Sequence, residues 1–329
     1  MHYFMKKSLF LILFTFLLIF SCKNENSAED EIAKIPIDVS IERFDQMFAN
    51  AKPEEFSKLK KNYSFLFSER YKDSFWIAKM KDTLMLDLAH EVKNQLSDFP
   101  EIENEVSDLF RHLAYYFPNF QEPRVITAVS YVDYRNKVFV NDSIALISID
   151  NYLGSEHEFY KGISKYISDQ FNKSQIVVDL AGAYAENYIF QTEHRTLLDD
   201  MIYYGKQLYF RDMVIPFKTD AEKIGYSQEK LDWAMANEFQ IWQFFVDREL
   251  LFSTDSKLPN RFINPAPFSK FQLEQIDNES PGRIGQYMGW QIVRAYMANN
   301  KVSFQEMLSK SPQEIFENSN FKPRKSDGE

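Results

Sequence analysis

Residues 124–134 read RVITAVSYVDY, and residues 137–150 read KVFVNDSIALISID. Both stretches are rich in β-branched residues, with Arg135-Asn136 as a turn between them and Asn141-Asp142-Ser143 as a second turn. This predicts a small antiparallel sheet of about three strands. Everything around it keeps a helical period. Ile41, Phe44 and Phe48 are one set, Trp76, Ile77, Met80, Leu84 and Leu88 a second, and Ile102, Val106, Leu109 and Leu113 a third, punctuated by Pro100 and Pro118. Downstream, the pattern predicts helices over 174–190, 196–214, 227–252 and 281–299. Gly225 and Ser227 mark the break before the third, and Ser280-Pro281 gives the last an N-cap and a first-turn proline. No βαβα alternation occurs, so a doubly wound parallel sheet is not expected. The fold class is a mostly helical α+β domain, its small antiparallel sheet packed with helices.

Working towards the N-terminus, residues 9–20 (LFLILFTFLLIF) follow Lys6-Lys7 and precede Ser21-Cys22, the only cysteine. In a helix this run spans ~18 Å, short of a ~30 Å hydrocarbon core, and its layout is that of a signal peptide over 1–21. Leu18-Ile19-Phe20-Ser21-Cys22 resembles a bacterial lipobox, which implies cleavage before Cys22 and acylation there. Residues 22–33 are polar and acidic and read as a flexible tether, reaching roughly 36 Å at most when extended. Residues 34–322 then form one globular domain: a helical part (34–120), the sheet (124–150) and a second helical part (156–322), with 323–329 a disordered tail.

Composition narrows the function. The chain of 329 residues is 45% hydrophobic, enough for a sizeable core. Its nine glycines leave little for phosphate-cradling loops. A net charge of −10 disfavours nucleic acid and disfavours docking on anionic lipid through a basic face. A single cysteine allows no internal disulfide, and an acylated Cys22 is no nucleophile.

A helix following the sheet is where a zinc protease would carry His-Glu-x-x-His, two imidazoles facing one metal and a glutamate polarising its water. Here that helix reads VVDLAGAYAENYIF over 177–190. His90, His112, His157 and His194 show no such spacing, and no Gly-x-Ser-x-Gly elbow occurs. The loop 253–280, with Pro259, Pro265 and Pro267, is long enough to line a site. Residues 282, 285 and 289 place three glycines in one predicted helix, where each costs ~1 kcal/mol relative to alanine. Tight helix packing explains such a stripe, and so does a groove for a partner with Arg283, Gln286 and Trp290 at its edge. The aromatic stretch 233–252 is apolar on more than one face, as a core helix or a partner surface would be.

Several segments together resemble the gliding-motility lipoprotein GldB family: the lipobox, ALISIDNYLGSEHEFYKG (145–162), DDMIYYGKQLYFRD (199–212), LLFSTDSKLPNRFINPAPFSKF (250–271) and ESPGRIGQYMGWQIVRAYM (279–297). The resemblance implies a cell-envelope lipoprotein, linked to the gliding and secretion apparatus and facing the periplasm. Its partners would be membrane lipid and envelope proteins, with no nucleic acid. The same order resembles, more distantly, a family of predicted zinc-dependent proteases. Carried over by position, the ligands fall at Gly182, Glu186 and Tyr204 and the base at Ala183, so the resemblance implies a zincin-like scaffold without its metal. The expected reading is a non-enzymatic pseudo-protease with no cofactor beyond the covalent lipid (palmitate) on Cys22. A metal-dependent hydrolase with an unrecognised site and a periplasmic peptide- or glycan-binding module are the alternatives.

Overall fold

The computed structural model describes residues 25–96, 99–191 and 195–325. Strands β1 (Ile41–Glu42), β2 (Arg124–Ala128), β3 (Val138–Val140) and β4 (Ile144–Ser148) form one sheet in the order β1-β2-β4-β3. The expected antiparallel sheet is mixed instead. Only β3 and β4 pair antiparallel, with Phe139 opposite Leu146, whereas β1–β2 and β2–β4 are parallel, with Val125 opposite Ala145. The reason lies after Ala128, where the predicted strand stops. The buried Asp150 carboxylate accepts the Ser130 and Val132 backbone N–H groups at 2.8 and 2.6 Å and turns the chain away, with Tyr131 and Val132 at positive φ. The chain therefore reaches the outer edge before the hairpin brings β4 back beside β2.

Period-two alternation divides the interior. Val125, Ala145 and Ile147 face the larger core, while Ile126, Ile144 and Leu146 face a smaller one built on Phe44, Phe48, Phe56, Tyr63 and Phe67. The larger core is enclosed by helices α1 (Thr83–Gln95), α2 (Phe99–Tyr116), α3 (Ile176–Tyr188), α4 (Leu197–Val214) and α5 (Ile284–Asn299). Thr196 caps α4 in a reciprocal pair with Asp199.

Other boundaries shift. α5 begins at Ile284 rather than at Pro281, because Arg283 takes a left-handed conformation and the Ile284 N–H donates to Ser269 Oγ, a residue of the proline-bearing loop. Gly282 thus precedes the helix. The stretch 227–252 breaks at Asn237 into Gln228–Ala236 and Glu238–Asp247. Part of the expected tether is a helix, Glu25–Ile32, whose last residue is buried. At the other end the Arg324 backbone N–H donates to Glu238 Oε1, so the start of the expected tail is held there.

Candidate functional site

α3 and α4 pack side by side, and the positions where a metal site was expected lie on these two helices. Gly182 is buried, and a Cβ there would stand 2.5 Å from Arg211 Nη2. The missing side chain makes room for a guanidinium. Arg211 Nη1 donates to Lys223 O at 2.7 Å, while its buried Nε has no partner among the described residues. Burial pushes the Arg211 pKa down to about 10. Asp179 opposes that effect, Arg283 adds to it and Glu186 opposes it less. Asp179, one turn before Gly182, accepts the Tyr152 hydroxyl at 2.9 Å and pairs with Lys137 at 2.5 Å.

Glu186 is exposed. Tyr204 is half-buried, and its phenol is raised by burial and then by Tyr203, Asp200 and Glu186, so Glu186 and Tyr204 share one neighbourhood. Ala183 brings no polar atom. One carboxylate, one phenol and a guanidinium do not make a divalent-cation site, since arginine offers no lone pair and repels the ion. The residues present at these four positions therefore do not fit zinc.

The groove edge expected at Arg283, Gln286 and Trp290 lies largely in the interior. Trp290 is wholly buried and donates from Nε1 to Asp212 Oδ2 at 2.8 Å, and Gln286 Nε2 donates to Ile263 O at 2.8 Å. Arg294 grips Asp212 and Asp220 together, 2.7 Å to each, and lies 3.8 Å above the Trp290 ring. Arg283 alone reaches a cavity, one of 400 Å³ that also takes in Gln175, Glu222, Lys230 and Pro265. Its Nη2 donates to Gly225 O at 3.1 Å, and burial lowers its pKa. The long proline loop thus does line a cavity.

Sequence reading missed Arg211, Asp212 and Arg294. Gly182 carried a signal for the first: a glycine inside a helix needs a compensating contact, and Arg211 supplies it.

His112 and His157 are engaged in separate places. His112 Nδ1 meets Asp108 O at 2.7 Å, and His157 Nε2 meets Glu91 at 3.3 Å. Among the described residues, no three of His, Cys, Asp and Glu gather to hold a metal, and no helix is long and apolar enough to cross a membrane. The leader, Cys22 and His194 lie outside the described residues.

None of the curated proteins or solved structures matches the chain. A family model described as gliding motility protein GldB matches residues 25–323, a span that takes in the sheet, the α3–α4 seam and the α5 clamp. The chain belongs to the gliding motility protein GldB family.

Proposed function

We propose that the chain is a lipoprotein of the cell envelope, anchored through an acylated Cys22 and facing the periplasm. It serves gliding through contacts with proteins of the gliding and secretion apparatus and performs no catalysis. The α3–α4 seam is then a protease-like arrangement whose metal has been lost. Family membership supports the gliding role. The observation that carries the non-enzymatic reading is the Arg211 guanidinium lying against Gly182, where the first metal ligand would stand. A cation at that place opposes a divalent ion and supplies neither a ligand nor a general base.

The metal content of the full-length protein, extracted in detergent without chelators, tests this. The expected result is zinc far below one equivalent, unchanged when Glu186 is replaced by Gln. One equivalent of zinc that falls away in Glu186→Gln would establish the hydrolase alternative instead.

A further inference from the structure

α3 has a second face. Tyr184 and Tyr188, one turn apart, point away from the Gly182 seam into a cavity of 680 Å³, a volume typical of small-molecule sites. The C-terminal end of α2, the segment 117–121 and the β3–β4 turn close it. Tyr188 stacks on Phe117 with ring centroids 3.8 Å apart, and Phe120 meets the Tyr184 ring edge-on at 5.8 Å.

Tyr184 is 4% exposed, yet its buried hydroxyl has no hydrogen-bond partner among the described residues. A buried, unpaired hydroxyl is uncommon in a folded protein. The charged or ionisable groups acting on it, Tyr188 and Asp142, line the same cavity.

The remaining lining is amide-rich. Asn141 Oδ1 is taken by the Ser143 and Ile144 N–H groups, which leaves its Nδ2 as donor. Gln305 Nε2 donates to Tyr116 O at 2.5 Å, which leaves its Oε1 as acceptor. Asn119 and Asn187 each add a donor and an acceptor. Among the described residues no lysine, arginine or histidine lines the cavity, and Asp142 is the one carboxylate that does.

We infer that this cavity binds a neutral saccharide of about two rings. An anion would meet Asp142 with no cation to offset it, and a wholly apolar molecule would leave the amides unpaired. A sugar ring satisfies both halves: its C–H face packs on the aromatic rings, and its hydroxyls both donate to and accept from the amides and Asp142. The inference does not depend on the gliding role or on the state of the Gly182 seam.

Titration calorimetry of the full-length protein in detergent with cellobiose, N,N′-diacetylchitobiose and maltose tests it. At least one should bind. Asn187→Ala and Tyr184→Phe should each weaken that binding roughly tenfold. The melting temperature of the unliganded Tyr184→Phe protein should be unchanged or higher, because the hydroxyl it loses is unpaired. Absence of binding by all three sugars at up to roughly 10 mM, or binding that neither variant weakens, would overturn the assignment.

Discussion

At the scale of single residues, the glycines differ in what they admit. A Cβ on Gly289 would lie 1.7 Å from Met201 O and 2.4 Å from Met201 C, both backbone atoms of α4. A Cβ on Gly205 would in turn meet the Gly289 carbonyl at 2.4 Å. The two helices touch main chain to main chain there, and neither can yield without moving as a whole. At Gly182 the obstacle is the tip of the Arg211 side chain, which can swing aside. Gly289→Ala should therefore cost about 3 kcal/mol or more by overpacking. Gly182→Ala should fall within about 1 kcal/mol of wild type, since the gain in helix propensity offsets the displaced guanidinium. Urea unfolding of the two variants checks this, and equal losses would contradict the geometry.

Between elements, Lys206 couples α4 to the helix Phe304–Ser309. Its side chain is wholly buried, and Nζ donates to Leu308 O at 3.1 Å and to Lys310 O at 2.6 Å. Burial pushes its pKa down to about 8 from 10.5, against a weaker attraction from Glu314. Between those two values the unfolded chain holds a proton that the folded chain has released, so stability rises with pH across that window. The full span is worth roughly 3 kcal/mol. Below about pH 8 both states are protonated, and the buried charge weighs on the fold in full. Stability measured from pH 7.5 to 10.5 should climb in the wild type relative to Lys206→Met, and parallel curves would refute the assignment. Nothing at sequence level marks this lysine, because its partners are backbone carbonyls about a hundred residues away. The long helices were legible, since an apolar period is local. The sheet's parallel pairing was not, because it depends on Asp150 holding a loop twenty residues earlier in the chain. The α5 start was misplaced for the same reason: Ser269, not the neighbouring Ser280, receives its first N–H.

For the whole molecule, charge decides what holds it to a membrane. The net charge is −10, and removal of residues 1–21 would take away two lysines and no acid. Such a body is repelled by anionic lipid and gains nothing from surface electrostatics. Only two residues separate Cys22 from the helix Glu25–Ile32, and that helix ends on Ile32, which is 2% exposed. An anchor at Cys22 would therefore hold the domain at short range, and its strength would come from acyl chains at ~0.8 kcal/mol per buried CH₂, two or more being needed for stable attachment. Salt tells the two kinds of attachment apart, because it screens surface charge and leaves hydrocarbon burial intact. The wild-type protein should stay with the membrane fraction through a 1 M salt wash (Debye length about 3 Å) and take up a palmitate analogue. Cys22→Ser should appear in the soluble fraction, unlabelled, with an unchanged circular dichroism spectrum of the domain. Were Cys22→Ser to remain on membranes and come away only in high salt, the attachment would be electrostatic, and an acidic protein would need a basic partner to supply it.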